Sequence, residues 1–251
     1  MKVMGSIQNT FFSLWLSLLG AAFFPGPGVA QLFEDGIVGA DDRAIIQDLT
    51  APWDNIGRVN VAGKRFCTGT LVAADLVLTA AHCLVRHHDS KPYRLDQIHF
   101  VAGQWRDQHR GHSTAAALEI RPEFRFQRPP QLEQAWAEVA YIRLKTPLDL
   151  QGVATATLGP EDVTQARFLL PSYARDRPYM LSLQRDCRVL HVFKTYWLTD
   201  CDSLEGASGA PLLVEDQKGL HVVAILVGYG RNPSRKFSVA IPITEASRLQ
   251  D

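Results

Sequence analysis

Residues 76–83 read Leu76-Val77-Leu78-Thr79-Ala80-Ala81-His82-Cys83. A short apolar run passes into two small residues and then presents one histidine beside a cysteine. The pattern predicts a buried strand that delivers an imidazole at its end. A histidine at a strand end is on its own usually structural or merely exposed. His82 differs because Ala80-Ala81 and the adjacent Cys83 surround it, and a backbone tied by a disulfide holds an imidazole in one place. A second stretch, Asp202-Ser203-Leu204-Glu205-Gly206-Ala207-Ser208-Gly209-Ala210-Pro211, sets one serine among glycines. Glycine lets the backbone turn sharply and leaves N–H groups free to converge on one spot. Such a turn can expose a nucleophile and build an oxyanion hole. Alone, a Gly-x-Ser-Gly run is a weak signal, because Gly and Ser are ordinary turn residues.

Outward from these stretches the chain reads as short β-branched and apolar runs between Gly, Pro and Asp turns. Strands are predicted over 57–61, 68–73, 76–80, 98–102, 115–120, 139–144, 189–193, 196–199, 211–214, 220–227 and 237–241. Many short strands with few helical periods point to an all-β barrel or sandwich. Only 243–250, after Pro242, has a helical look. Residues 148–177 carry few strand signals and suit a crossing between two halves. The segment 121–134, with Arg121, Arg125 and Arg128 among prolines, reads as a solvated surface loop.

The N-terminus has its own organisation. Lys2 gives a short positive region, and 11–24 is an apolar run rich in Phe and Leu. Pro25-Gly26-Pro27-Gly28 breaks it, and Gly28-Val29-Ala30 supplies small residues, so residues 1–30 are expected to be a signal peptide cleaved after Ala30. The apolar run is shorter than the roughly 20 residues a spanning helix needs. Export implies an oxidising compartment, which suits four cysteines: Cys67, Cys83, Cys187 and Cys201. Four cysteines allow three pairings. The local pairs would each close a loop of about 15 residues, worth about 3 kcal/mol.

Composition excludes some classes. Lys+Arg and Asp+Glu both total 26 in 251 residues, so no net basic field draws nucleic acid. No CxxC occurs, and the pairs His87-His88 and His109/His112 lie in polar stretches, so neither a metal nor a cofactor is expected. An HExxH zinc-peptidase motif is missing. An α/β-hydrolase needs G-x-S-x-G, but Ala210 fills the last position, and its histidine follows the serine whereas His82 precedes it.

Together, the 76–83 and 202–211 stretches closely resemble the chymotrypsin/trypsin-like serine peptidases, whose TAAHC segment carries the base and GDSGGP segment the nucleophile. Supporting matches are Cys67-Thr68-Gly69-Thr70-Leu71-Val72, Arg121-Pro122-Glu123-Phe124 and Ala140-Tyr141-Ile142-Arg143-Leu144. Ile37-Val38-Gly39-Ala40-Asp41-Asp42-Arg43 and Pro52-Trp53 look most like the bacterial branch that includes the glutamyl endopeptidases. The resemblance spans residues 37–243. It implies two six-stranded antiparallel β-barrels with the site between them. The corresponding plan is an N-terminal segment over 31–44, with a propeptide to about 36. A first barrel then covers 45–145, and a second barrel with a C-terminal helix covers 146–251. It further implies Cys67 paired with Cys83, His82 as general base, Ser208 as nucleophile, and an oxyanion hole from the N–H groups of Gly206 and Ser208.

Two positions depart from the family pattern. Glu138 stands where an aspartate is expected. It keeps the charge that holds the histidine tautomer, but its extra methylene shifts the carboxylate by about 1 Å, and misplacement on that scale can cost about 100-fold. Ala207 replaces the aspartate that pairs with a new amino-terminus, so the usual activation switch is absent and a Cys187–Cys201 disulfide is the expected brace. Asp202, with Ser203, falls where trypsin-like enzymes keep the acid of the primary pocket. There it would favour Arg or Lys before the scissile bond. A histidine typical of glutamyl endopeptidases is missing from Ile225-Leu226-Val227-Gly228. The expectation is thus a secreted or periplasmic serine endopeptidase acting on polypeptides, free of nucleic acid and membrane once the signal is removed. The competing reading is a catalytically weak or inactive homologue that binds peptides in the same cleft.

Overall fold

The computed structural model describes residues 36–127 and 132–244. The expected signal peptide, Arg128, and all but Ile243 and Thr244 of the expected C-terminal helix lie outside these residues. Chain order gives β1 (Ala44–Ile45), β2 (Ile56–Val61), β3 (Arg65–Ala73), β4 (Leu76–Ala80), α1 (Ala81–Leu84), β5 (Ile98–Ala102), β6 (Gly111–Glu119) and β7 (Val139–Leu144). The second half adds β8 (Ala154–Thr155), α2 (Pro160–Gln165), β9 (Phe168–Ala174), β10 (Arg177–Cys187), β11 (Val189–Val192) and β12 (Trp197–Thr199), then β13 (Pro211–Asp216), β14 (Gly219–Arg231) and β15 (Lys236–Pro242).

The first half closes into a barrel in the order β2-β3-β4-β7-β6-β5. Alternation drives the closure: along β5, Ile98, Phe100 and Ala102 are buried while His99 and Val101 are only partly covered. Val59, Leu71, Val77, Phe100 and Ile142 share the face that fills its interior. The chain is mostly β, as the short apolar runs indicate, and each of the eleven predicted strands coincides with an observed one to within a few residues.

The second half is a nine-stranded sheet ordered β1-β10-β9-β13-β14-β15-β12-β11, with β8 added to β14. Among the described strands its ladder does not close as the first one does. The gap between β10 and the chain after β12 is spanned instead by a disulfide and single hydrogen bonds. Cys187 bonds Cys201, and the Asp202 N–H donates to Gln184 Oε1 at 2.6 Å. The Asp200 N–H donates to the Arg188 carbonyl at 3.0 Å.

The stretch expected to be a crossing, 148–177, in fact holds β8, α2 and β9, and β10 follows directly. Pro171 hid β9, because proline lacks a ladder donor. Here β9 meets β13 only at Leu169 opposite Leu213, and Pro171 lies beyond that pair. Burial of Phe168, Leu170 and Tyr173 then holds the strand in place.

Replacing Cys187 and Cys201 together by alanine should cost about 3 kcal/mol, the worth of closing a loop of this order. Urea unfolding of the double variant should show a lower midpoint. An unchanged midpoint would mean that the polar bridges alone hold the β10 edge.

Candidate active site

Two neighbouring strands of the first barrel set His82 beside Glu138. β4 and β7 are antiparallel, with Ala80 opposite Val139. His82, in the single turn α1 after β4, therefore meets Glu138, the residue just before β7. Glu138 Oε2 lies 3.0 Å from His82 Nδ1 and accepts the His82 backbone N–H at 3.2 Å. The extra methylene does not keep the carboxylate from the ring. Because a carboxylate only accepts, a neutral His82 carries its proton on Nδ1, leaving the Nε2 lone pair for chemistry. Glu133, the other nearby acid, lies exposed in the 3₁₀ helix Leu132–Glu138.

Ser208 comes from the second half, on the loop between β12 and β13. It shares with His82, Glu138 and Gly206 the lining of one cleft of about 630 Å³. The Ser208 carbonyl accepts the Thr68 N–H at 2.9 Å and lies 4.0 Å from Cys83 Sγ, which ties the serine loop to the segment carrying His82. The Cys67–Cys83 bond, 2.04 Å long, anchors that segment.

Both glycines flanking the serine are required. Gly206 has φ +98°, and a Cβ there would fall 2.4 Å from Phe66 Cε2. Gly209 has φ +83°, and its Cβ would fall 2.2 Å from the Thr68 carbonyl oxygen. The loop's carbonyls are tied outward. Glu205 O accepts from Arg175 N at 2.7 Å, and Ala207 O from Ala210 N at 2.9 Å. In a trans peptide the N–H points opposite the C=O, so these two bonds turn the N–H groups of Gly206 and Ser208 the other way. Among the described residues neither N–H is used in a hydrogen bond within the chain. Cys187–Cys201, the brace expected from the sequence, forms with an S–S distance of 2.11 Å, but hydrogen bonds to the carbonyls are what orient the loop.

Two placements differ from the sequence reading. The segment around Arg125 is more than a solvated loop: Glu123, Phe124, Arg125 and Phe126 line the cleft, and His87 stacks on Phe126 with ring centroids 3.6 Å apart. Alternating Phe124 and Phe126 among the charges was the available signal. Asp202, expected at the base of the primary pocket, does not line the cleft, although Ser203 does. Its fully buried side chain turns to the N-terminal segment, where Asp202 Oδ1 accepts the Val38 N–H at 2.9 Å. Arg43 Nε stands 3.9 Å from Oδ2 and is itself bonded to Asp41 and Asp176. The Ser203 N–H donates to the Gly36 carbonyl at 2.8 Å, so residues 36–38 pack along 202–203. That packing holds the carboxylate out of the cleft lining.

Residues 67–225 match the trypsin-like peptidase domain family, and the chain belongs to that family. Among curated proteins it is similar to serine protease 23 of Mus musculus, 28% identical over 238 residues, covering 77% of this chain and 61% of the relative. The Homo sapiens protein of the same name is 27% identical over 213 residues, covering 73% and 55%. The chain thus spans somewhat over half the length of these relatives. Among solved structures, a Glu endopeptidase in complex with MPD superposes with a TM-score of 0.69 over 84% of this chain and 95% of that one, at 17% identity. The shared feature is the chymotrypsin-like fold. The two groupings of metal-ligand atoms among the described residues each contain both sulfurs of a disulfide, which leaves no thiolate to bind an ion. No helix among the described residues is long and apolar enough to cross a membrane.

Burial pushes the Asp202 carboxyl from 3.8 up to about 7, against the lowering pulls of the Val38 N–H and Arg43 and with a further push from Asp42 and Asp41. The folded chain therefore holds this proton to higher pH than the unfolded chain does. Its contribution to stability is complete below about pH 4 and is lost as pH rises towards about 7. Asp202→Asn, which keeps an acceptor for Val38, should flatten that part of the stability–pH profile. Thermal unfolding of both proteins between pH 4.5 and 8 checks this, and parallel profiles would contradict it.

Proposed function

We propose that the chain is a serine endopeptidase that works through an acyl-enzyme. The observation that carries this reading is the His82–Glu138 contact at 3.0 Å in the cleft that also holds Ser208 and two uncommitted N–H groups. Ser208 Oγ attacks the scissile carbonyl while His82 Nε2 accepts its proton. The tetrahedral oxyanion is received by the N–H groups of Gly206 and Ser208. Collapse expels the amine, which takes the proton from His82 and leaves Ser208 acylated. Water, deprotonated by His82, then attacks the acyl carbon, and the bond to Ser208 Oγ breaks as the serine takes that proton back from His82 and the acid leaves. Throughout, Glu138 holds Nδ1–H and balances the imidazolium charge.

A preference for Arg or Lys rested on Asp202, which is turned away. The wall on the Ser208 side of the cleft comprises Ser203, Leu204, Glu205, Val227, Gly228, Tyr229 and Val239, and its one charged side chain, the exposed Glu205, is paired with Arg175 Nη1 at 2.9 Å. We therefore assign the primary pocket to uncharged side chains. The N-terminal apolar run and the two disulfides support export to an oxidising compartment.

A fluorophosphonate probe should label the native chain at Ser208, and Ser208→Ala should abolish labelling. Absence of labelling would reject the active peptidase in favour of a peptide-binding homologue. Glu138→Gln should lower turnover by about 10⁴, as amide replacement does at such an acid. Glu138→Asp, which retracts the carboxylate from a distance already correct, should lower it by about 100-fold. Faster turnover with aspartate would mean that Glu138 fills the acid's place imperfectly. A mixed peptide library should be cut after uncharged residues, and dominant cleavage after Arg or Lys would overturn the pocket assignment.

A further inference from the structure

Gly206 needs support on both of its flanks. A glycine at φ +98° has no side chain to limit rotation, so its N–H keeps one direction only if the adjoining peptides are pinned from outside. On the amino side, the Arg175 N–H holds the Glu205 carbonyl. On the carboxyl side, the partner of the Gly206 carbonyl is a side chain: Thr68 Oγ1, at 3.0 Å.

Thr68 is fully buried in β3 and meets the serine loop twice. Its backbone N–H donates to the Ser208 carbonyl at 2.9 Å, and its hydroxyl reaches the Gly206 carbonyl, so one residue grips both sides of Ala207. The hydroxyl also accepts the Tyr173 N–H at 3.0 Å and lies 3.2 Å from the Tyr173 carbonyl. It has one proton for two carbonyls, and Gly206 offers the shorter contact. Thr68 is itself held firmly. Its carbonyl accepts Thr79 Oγ1 at 2.8 Å, and its neighbour Cys67 is disulfide-bonded to Cys83. Inside the loop the same peptide is held at its other end by the Ala207 N–H donating to the Leu204 carbonyl at 2.9 Å, but no side chain of Ala207 or Ala210 can reach the Gly206 carbonyl.

From these contacts, and resting on the reading of Ser208 as nucleophile, we infer that Thr68 is a positioning residue for the oxyanion hole. Its hydroxyl fixes the Gly206 carbonyl and with it the 206–207 peptide, the link that joins the Gly206 donor to the Ser208 donor and sets how the two N–H groups stand to each other. It never touches the substrate. A residue in the first barrel thus sets how two donors in the second half stand to each other.

Thr68→Val exchanges the hydroxyl for a methyl of similar size and retains the backbone N–H bond to Ser208. Fluorophosphonate labelling is read as a maximal rate and a half-saturating concentration, alongside its pH profile and the melting temperature. The maximal rate should fall by roughly 10- to 100-fold, as a small misplacement of catalytic groups does. The half-saturating concentration and the pH midpoint should stay where they are, because the pocket and the His82–Glu138 pair are untouched. Thr68→Ser, which restores the hydroxyl, should restore the rate. If the valine variant does not accumulate folded, Thr68→Ala, which demands no new space, gives the same comparison against Thr68→Ser. A lowered melting temperature with an undiminished labelling rate would overturn the inference, as would a serine variant that regains stability but not rate. If the native chain is not labelled at all, the peptidase reading falls and this inference with it. A labelled native chain with an equally fast valine variant sinks only the role of Thr68.

Discussion

The antiparallel pairing of β4 with β7 is the constraint on which the site depends. With Ala80 opposite Val139, the residues just beyond those partners, His82 and Glu138, are brought within reach of each other. A slip of one residue would turn every side chain of a strand to the other face. Register is strongly specified here because Val77 and Ile142, partners across the two strands, are fully buried on the inner face of the barrel. The core that closes the first barrel is thus the same feature that aims the imidazole. Glu138 adds a second point of attachment by accepting the His82 backbone N–H as well as facing its ring, so both the turn and the tautomer are held by one carboxylate oxygen.

The serine loop achieves its shape without an internal ion pair. Each carbonyl from Glu205 to Ser208 is taken by a donor: Arg175 N, Thr68 Oγ1, Ala210 N and Thr68 N in turn. A single hydrogen bond contributes only about 1 kcal/mol net, but leaving a buried carbonyl unpaired costs more than that. The arrangement therefore resists loss of any one member. A buried ion pair would have carried a desolvation cost that neutral bonds avoid. Replacing the charged residue with Ala207 is consistent with a loop whose geometry is held by these four hydrogen bonds, one of them from the Thr68 side chain, and by the two close approaches at Gly206 and Gly209.

Asp202 shows how tertiary packing reassigns a residue. Its place in the serine segment suggested substrate recognition, yet the N-terminal segment binds alongside it and offers the Val38 N–H. Arg43 then completes a cluster with Asp41 and Asp176. The carboxyl serves the docking of residues 36–43 and lies outside the cleft lining. At the other end of the same segment, Cys187–Cys201 and Gln184 fasten β10 to the chain after β12, where the sheet has no ladder.

The sequence by itself determined the β architecture, because short β-branched runs bounded by turn residues leave little choice. It also located His82, Ser208 and the glycines around the serine, since those demands are local: a strand end beside a cysteine, and a backbone that must turn with positive φ. Glu138 was legible only through the strand that follows it, and its reach to His82 needed the β4–β7 pairing to become visible. β9 stayed hidden because Pro171 breaks the local pattern, while its burial comes from partners far along the chain. The orientation of Asp202, the cleft wall at Phe124 and Phe126, and the grip of Thr68 on the serine loop were decided by tertiary structure alone. Each depends on which segment arrives from the other half of the molecule. A hydrogen bond between residues 138 positions apart, as from Thr68 to Gly206, leaves no periodic trace in sequence.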